Sequence, residues 1–319
     1  MAMGLALGAG VAASAQTGDG ADLIARFAET DRGDVFVVAH RGCWSAAPEN
    51  SVAAIEACAR IGVRAVEIDV QMTRDGHLIV FHDSTLKRMT NGWGYIADHT
   101  LEELRALRLY ERDGSPTQQY NRPFLTDMTI STLEDVLEAA RGHVMINLEI
   151  KTNHGANFET TFNRAVEVAQ AMDMADQVFW KIPPAVRGVS QTDIPADQKY
   201  QALKTEGLRF VTPIIWQAQR SFEDQIADFN DDRVHSFEIV AHDLDYWPLG
   251  ADGRIEGADQ YRYMIVGVLP RWGAGLSDEM AMADPDAIWG RMVDMGADLI
   301  MTDRPEQLVS YLQSRGLRP

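Results

Sequence analysis

Nine short runs of apolar and β-branched residues recur along this chain, and helical patterns lie between most of them. Strands that alternate with amphipathic helices predict parallel βα units, in which helices cover the sheet. The runs are Val35–His40, Arg64–Val70, Leu78–His82, Val144–Lys151, Val178–Lys181, Phe210–Ile215, Ser236–Val240, Met264–Leu269 and Asp298–Thr302. A chain of 319 residues is long enough for one barrel of eight such units, but nine runs are one too many.

The second and third runs are too close together to be joined by a parallel crossover. Only residues 71–77 separate them, whereas a crossover needs a dozen or more residues. This link contains Asp75-Gly76, a pair typical of a two-residue hairpin loop. We therefore predict that the third run folds back antiparallel on the second, with Asp69 opposite His82. The other eight runs then form a (βα)₈ TIM-type barrel whose second strand is extended into a β-hairpin.

The charge and the hydropathy of the chain limit its partners. A formal net charge of -18 would repel the phosphate backbone of nucleic acid, so we exclude nucleic acid as a partner. No apolar run reaches the roughly 18 to 20 residues that span a bilayer, so no transmembrane segment is predicted. No linker or low-complexity segment divides the chain, and we expect residues 16–319 to form a single domain.

The first residues, MAMGLALGAGVAASAQ, combine an apolar stretch with small residues that end in Ala13-Ser14-Ala15. This pattern is typical of the apolar part and the cleavage site of a secretory signal. We expect residues 1–15 to be a truncated signal peptide, since the basic segment that should precede it is missing. The alternative is a flexible Ala/Gly terminus. Export would place the protein in the periplasm or outside the cell.

The two cysteines raise the question of a disulfide. On the predicted elements, Cys43 follows the first strand and Cys58 lies well inside the following helix. A helix rises ~1.5 Å per residue, so about ten residues of helix would separate the two thiols by ~15 Å, beyond disulfide reach. We therefore predict two free thiols.

Two carboxylates share one face of the second strand. Side chains alternate across a strand, so Glu67 and Asp69 point away from the apolar residues that flank them. Two such charges repel each other and resist burial. The fourth run repeats the pattern, with Glu149 and Lys151 on one face. Because the carboxyl ends of barrel strands meet at one mouth, we expect the three carboxylates to converge there.

Other polar residues at strand ends would join this group. His40 and Arg41 close the first strand, and the predicted hairpin brings His82 to the same face. Three oxygen ligands suit one hard divalent cation, Ca²⁺ or Mg²⁺, whereas zinc is disfavoured because no cysteine or compact histidine cluster is offered. The alternative is a salt-bridged barrel floor, in which the carboxylates pair with Lys151 and His82. That alternative accounts for one pair but not for so many charges at one end.

Several short motifs occur in an order that resembles the glycerophosphodiester phosphodiesterase family. They are HRG (His40–Gly42), PENS (Pro48–Ser51), VEIDV (Val66–Val70), TRDGHLIVFHD (Thr73–Asp83), TNGWG (Thr90–Gly94), LEIK (Leu148–Lys151) and MTDRP (Met301–Pro305). The resemblance implies a (βα)₈ barrel, one divalent cation, and hydrolysis of glycerophosphodiesters to an alcohol and glycerol phosphate.

The resemblance also implies roles for individual residues. The catalytic histidines of the family match His40 and His82, and we expect His40 to be the base and His82 the acid, or the reverse. The remaining positions match metal ligands at Glu67, Asp69 and Glu149, phosphate-contacting groups at Arg41 and Lys151, and supporting residues at Glu49 and Asn50.

Two positions depart from the family pattern, and two other functions stay open. Lys181 ends the fifth strand where relatives often carry a small or hydroxyl residue; it either adds a phosphate contact inside the site or lies on a solvated face. Gly267 stands where a polar residue is frequent. The alternative functions are a lysophospholipase D-like activity on lysophospholipids and a catalytically silent barrel that binds phosphoryl ligands.

Overall fold

Eight parallel strands close into a barrel in the computed structural model, which describes residues 20–29, 33–111, 124–151, 157–183, 206–217, 221–229, 231–246 and 260–319. The strands are β1 (Phe36–Ala39), β2 (Ala65–Met72), β3 (Leu78–Val80), β4 (Tyr110–Glu111), β5 (Phe124–Leu125), β6 (Met145–Ile150), β7 (Val178–Ile182), β8 (Phe210–Trp216), β9 (Ser236–Val240), β10 (Arg262–Val266) and β11 (Leu299–Thr302). β1 pairs with both β2 and β11, which closes the barrel, and β4 pairs with β5 in a separate two-stranded sheet. The predicted (βα)₈ fold is confirmed.

One helix precedes the first strand, and the later helices lie in the connections that follow the strands. They are α1 (Gly20–Ala28), α2 (Val52–Ile61), α3 (Leu101–Arg105), α4 (Leu133–Ala140), α5 (Phe158–Ala171), α6 (Phe222–Ile226), α7 (Asp278–Ala281), α8 (Arg291–Asp294) and α9 (Pro305–Ser314). Thr100 and Thr132 cap α3 and α4 with their side chains, each in a reciprocal capping box. Among the described residues, no helix has the length and apolar character needed to cross a membrane.

The hairpin on the second strand is confirmed, but its predicted register is wrong. Met72 pairs with Leu78, and the Thr73 amide donates to the His77 carbonyl, so the loop has three residues rather than two. Asp69 therefore lies opposite Phe81, whose amide donates to the Asp69 carbonyl at 2.8 Å. The β2–β3 pairing ends at Val80. The position of His82 therefore depends on the loop that follows β3 and not on strand pairing.

The seventh barrel strand starts two residues earlier than its apolar run. It covers Arg262–Val266, whereas the sequence favoured Met264–Leu269. Arg262 is fully buried and its guanidinium donates to the carbonyls of Arg26 and Phe27 near the end of α1. A charged residue thus belongs to the strand because a helix C-terminus offers it partners.

α1 closes the amino-terminal end of the barrel. The Phe27 ring packs against Phe36, Phe179 and Phe210 of three barrel strands, with centroid separations of 4.7 to 5.4 Å. Apolar side chains and Arg262 fill this end of the interior, whereas the carboxylates of β2 and β6 lie at the carboxyl-terminal end, where TIM-barrel active sites lie.

The prediction of two free thiols is wrong, because Cys43 and Cys58 form a disulfide with a Cα–Cα distance of 5.3 Å. The rise along the helix does not set the distance between the two thiols, because the position of Cys43 depends on the loop that precedes α2. That loop turns back, so that the Cys43 amide donates to the Ala54 carbonyl inside α2. Cys43 therefore lies beside the middle of the helix. The signal peptide expected at residues 1–15 is outside the described residues and stays a prediction.

Candidate active site

Three carboxylates meet at the carboxyl-terminal end of the barrel. Glu67 and Asp69 extend from β2, and Glu149 extends from the neighbouring β6, where it is the register partner of Asp69. Each of the three offers an oxygen atom, and these atoms all lie within 4.8 Å of one another. Glu67 and Asp69 are buried, and Glu149 is partly buried. The structure thus brings together the three residues that the sequence predicted as metal ligands.

Two lysines compensate the charge of this group. Lys151 Nζ lies 2.9 Å from Asp69 Oδ1 and also contacts Glu149. Lys181 Nζ lies 2.7 Å from Glu149 Oε2 and 3.0 Å from Glu238 Oε2. Burial raises the pKa of Glu149, but the two ammonium groups outweigh it and bring that pKa to about 2. Lys181 is 3% exposed, so its side chain occupies the barrel interior and not a solvated face.

The two carboxylates of β2 differ in their protonation behaviour. Burial, and then the negative charge of Asp69, raise the pKa of Glu67 to about 7. Burial acts on Asp69 in the same direction, but Lys151, His82 and Arg41 together hold its pKa well below the usual value. Glu67 is therefore the carboxylate of the cluster that binds a proton near neutral pH.

The loop between β1 and α2 orients these carboxylates. Its residues Arg41 and Asn50 both have a φ of 58°, a left-handed conformation that is strained for side chains of this size. Asn50 donates from Nδ2 to Asp69 Oδ2 at 2.8 Å and accepts from the Asp69 amide at 3.1 Å. The Arg41 amide donates to Glu67 Oε2 at 3.0 Å. The strained loop thus fixes both carboxylates of β2.

The two histidines predicted as catalytic each have an aspartate partner. His40 Nδ1 lies 2.9 Å from Asp303 Oδ1, and His82 Nδ1 lies 2.7 Å from Asp83 Oδ1. Burial raises the pKa of Asp303, but the His40 ring and its other donors lower it further, so the carboxylate is ionised. An ionised carboxylate only accepts, so each Nδ1 carries the hydrogen and each Nε2 is available for proton transfer.

Ion pairs link the His82 side of the site to the β1–α2 loop. The Arg88 guanidinium donates to Asp83 from Nη2 at 2.8 Å and to Glu49 from the same atom at 2.7 Å. Glu49 in turn accepts from Arg41 Nη1 at 3.3 Å. Two arginines therefore donate to Glu49, which is consistent with the supporting role predicted for it. These charge-assisted hydrogen bonds connect Asp83, the partner of His82, to Arg41 in the β1–α2 loop.

Four functional residues were missed by the sequence argument. Asp83 and Asp303 lie inside motifs that were recognised, yet no role was assigned to them. Glu238 lies between Phe237 and Ile239 in β9, the same alternation that identified Glu67. The signal for these three was thus present in the sequence. Arg88 follows the hairpin in a short 3₁₀ turn, and no sequence pattern marks it.

Comparisons with known proteins divide the chain into two matched segments. The pattern of the Glycerophosphoryl diester phosphodiesterase family matches residues 40–183, and a domain of unknown function matches residues 211–312. A glycerophosphodiester phosphodiesterase of Caldanaerobacter subterraneus is 38% identical over 118 residues, 37% of this chain and 45% of that protein. One of Bacillus subtilis is 34% identical over 118 residues, 37% of this chain and 40% of that protein. The chain thus spans less than half the length of these relatives.

Solved structures are similar over most of the chain. A glycerophosphoryl diester phosphodiesterase from Parabacteroides distasonis has a TM-score of 0.67 and 22% identity, covering 93% of this chain and 92% of that one. A phosphodiesterase from Oleispira antarctica, in complex with the product sn-glycerol-3-phosphate, has a TM-score of 0.61 and 22% identity, covering 88% of this chain and 97% of that one. At these identities the likeness establishes the shared barrel fold. Residues 40–183, which contain both histidines and all three clustered carboxylates, match the pattern of the Glycerophosphoryl diester phosphodiesterase family.

Proposed function

We propose that this protein is a metal-dependent hydrolase that converts glycerophosphodiesters to an alcohol and glycerol phosphate. The observation that carries the proposal is the carboxylate cluster of Glu67, Asp69 and Glu149, flanked by two histidines that each have an aspartate on Nδ1. Phosphodiester hydrolysis needs charge neutralisation at phosphorus and proton transfer at two oxygens. The match of residues 40–183 to the family pattern supports this choice of substrate.

The three carboxylates fit one hard divalent cation. They offer only oxygen ligands, and their spacing of 4.8 Å or less matches the span across one ion that has Ca²⁺–oxygen distances of about 2.3–2.6 Å. We propose Ca²⁺ or Mg²⁺, held by Glu67, Asp69 and Glu149. When bound, such a cation supplies Lewis-acid stabilisation of the phosphate oxygens.

The two histidines would divide the proton transfers of the first step. His40 Nε2 takes the proton of the glycerol 2-hydroxyl, and the freed oxygen attacks phosphorus. The bond from phosphorus to the alcohol oxygen breaks, and protonated His82 gives its Nε2 proton to that oxygen. The products of this step are the free alcohol and a cyclic glycerol phosphate. Asp303 and Asp83 each hold Nδ1 of one ring and so direct its Nε2 towards the substrate.

Water opens the cyclic phosphate in the second step, with the roles of the histidines exchanged. His82 takes a proton from the attacking water, and His40 returns its proton to the glycerol 2-oxygen. Both rings then have their starting protonation states. Arg41 and Lys151 lie beside the cluster and would contact the phosphate oxygens. We propose the same role for Lys181, which contacts Glu149 of the cluster. The reverse assignment of acid and base uses the same geometry.

One assay separates this function from its alternatives. Purified protein is incubated with glycerophosphocholine or lysophosphatidylcholine, in the presence of Ca²⁺, Mg²⁺ or EDTA, and ³¹P NMR identifies the products. Release of glycerol phosphate from glycerophosphocholine only with metal is the expected result. Preferred turnover of the lysolipid would instead favour a lysophospholipase D-like enzyme. Saturable binding without turnover of either compound would indicate a silent binding protein.

We further propose that the protein works in the periplasm or outside the cell. The signal-like pattern of residues 1–15 supports export, and the disulfide between Cys43 and Cys58 suits an oxidising compartment. Expression of the full-length chain in a Gram-negative host, followed by fractionation and N-terminal sequencing, tests the proposal. The expected result is a periplasmic protein that begins at Gln16. An uncleaved protein in the cytoplasm would refute it.

A further inference from the structure

A buried aspartate that belongs to none of the matched motifs lies behind the His40 side of the site. Asp278 begins α7, in the loop that follows β10, and is 3% exposed. Its carboxylate accepts three hydrogen bonds: from the Asp303 amide at 2.7 Å, from Thr302 Oγ1 at 2.8 Å, and from Trp289 Nε1 at 3.1 Å. All three partners are donors, so the carboxylate acts only as an acceptor.

The backbone around β10 leaves room for this carboxylate. The Asp278 amide donates to the Gly267 carbonyl at 2.8 Å. A Cβ atom added at Gly267 would lie 3.1 Å from the Met301 carbonyl oxygen and 3.4 Å from Asp278 Oδ1. A side chain at position 267 would therefore be tight against the Met301 carbonyl and in van der Waals contact with the carboxylate, so Gly267 borders the space that the Asp278 carboxylate occupies.

Asp278 lies in an unfavourable environment for a carboxylate. Burial raises its pKa to about 7, although its three hydrogen bonds act in the opposite direction. Burying a carboxylate costs free energy unless hydrogen bonds compensate it, and buried carboxylates with a shifted pKa are concentrated at functional sites. Two of its three donors, Thr302 and the Asp303 amide, belong to the strand end that carries the partner of His40.

The contacts thus form one continuous chain that ends on the histidine. Asp278 fixes the backbone amide of Asp303, and the Asp303 carboxylate holds His40 Nδ1 at 2.9 Å. Trp44 Nε1 donates to the same Asp303 oxygen at 2.8 Å, so the carboxylate is held by two side-chain donors while its backbone is held by Asp278. We infer that Asp278 is a positioning residue, which acts through Asp303 to fix the tautomer and the orientation of the His40 ring.

The kinetic test compares kcat and KM of two variants substituted at Asp278. The assays are run at pH 8.5, above the pKa of the Asp278 carboxyl. Asp278→Ala removes all three acceptor contacts, and we expect kcat for glycerophosphocholine to fall about tenfold while KM changes less than twofold. Asp278→Asn keeps one carbonyl oxygen and should recover most of that loss. The matched control is Asp298→Ala, because Asp298 is equally buried but precedes β11 and accepts from the Tyr263 amide at the other end of the barrel. Its kcat should be unchanged.

A double-mutant cycle tests whether Asp278 acts through Asp303. If it does, adding Asp278→Ala to Asp303→Ala causes no further loss of kcat, because the group that it positions is already absent. Losses that multiply would overturn the inference. If Asp278→Ala does not fold, the same cycle is run with Asp278→Val and Asp303→Asn, since valine fills the space of the aspartate side chain but accepts no hydrogen bond.

A spectroscopic readout is independent of turnover. In ¹⁵N-histidine-labelled protein, the His40 ring nitrogens, identified by their loss in His40→Gln, should report hydrogen on Nδ1 only. In Asp278→Ala they should shift towards the tautomer mixture of free imidazole. Unchanged shifts would overturn the inference. The kinetic arm rests on the proposed function: if wild-type protein hydrolyses no phosphodiester, that function fails, whereas the ring shifts still decide the role of Asp278.

Discussion

Lys181 Nζ lies 2.7 Å from Glu149 Oε2 and, on its other side, 3.0 Å from Glu238 Oε2. One buried ammonium therefore joins the carboxylate cluster of β2 and β6 to β9, across the barrel interior. The negative charges of Glu149, Glu238 and Glu67 raise the pKa of Lys181 well above its usual value, although burial acts in the opposite direction. This ammonium is therefore charged at neutral pH, and its charge offsets the cost of burying Glu238.

Substitution of Lys181 by methionine should destabilise the protein by about 3 kcal/mol, because removal of one partner leaves a buried charge uncompensated. The double variant Lys181→Met/Glu238→Met should be more stable than the single variant, since both members of the pair are then apolar. Urea unfolding at pH 7 measures the three free energies of unfolding. Lys87→Met, at an exposed position, is the matched control and should stay within about 0.5 kcal/mol of wild type. A single variant as stable as wild type would contradict the prediction.

Replacement of His40 or His82 by glutamine should lower kcat for glycerophosphocholine by about 10²-fold or more, since each ring would transfer a proton in both steps. The free energy of unfolding and the affinity for the divalent cation should change little, because neither ring belongs to the carboxylate cluster. Steady-state kinetics, urea unfolding and calorimetric titration with Ca²⁺ provide the three readouts. His143→Gln changes an exposed ring outside the site and should have no effect. If either variant kept near-normal kcat, its catalytic role would have to be abandoned.

The disulfide joins Cys43 and Cys58, which are separated by 15 positions in the sequence. The segment that it closes contains Glu49 and Asn50, two residues that orient the site. A loop of this length contributes about 3 kcal/mol on the chain-entropy account. The double variant Cys43→Ala/Cys58→Ala should therefore unfold at lower urea than wild type, and a reducing agent should have the same effect on wild type but none on the variant. Thiol titration of the unfolded, unreduced wild-type protein should find no free thiol. Two titratable thiols would show that the bond is not formed.

The sequence was sufficient for features that depend on short, periodic patterns. The nine apolar runs predicted the barrel, and the two-residue alternation around Glu67, Asp69 and Glu149 predicted the cluster, because a strand alternates its faces with a fixed period. It was insufficient where the chain returns on itself. The Cys43–Cys58 bond depends on the path of the β1–α2 loop, and the hairpin register depends on a loop of three residues rather than two.

The contact between His40 and the residues that hold it could not be predicted for a related reason. Asp303 is separated from His40 by 263 residues, and Asp278 comes from a different loop again. No local pattern links these positions, since their proximity is a consequence of barrel closure between β1 and β11. Sequence motifs therefore identified the groups that would contact the substrate, and the structure was needed to identify the groups that hold them.

The stability of the barrel should depend on pH through His235, at the end opposite to the active site. Its ring stacks on Phe27 at 4.6 Å and contacts Phe210 edge-on at 4.8 Å. Burial, and then the charge of Arg262, lower the pKa of His235 from 6.5 to about 3. Between these two pH values the unfolded chain binds a proton that the folded protein does not, so the free energy of unfolding falls as the pH falls below 6.5.

This contribution should reach about 1.4 kcal/mol for each pH unit between pH 6 and pH 4. His235→Phe keeps a ring between the two phenylalanines but cannot bind a proton, so its free energy of unfolding should decrease less steeply with acid than that of wild type. Urea unfolding at pH 7, 6, 5 and 4 measures both slopes. His143→Gln removes an exposed imidazole and should keep the wild-type slope. Equal slopes for His235→Phe and wild type would mean that another group causes the loss of stability in acid, because the substitution removes only the proton-binding site at position 235.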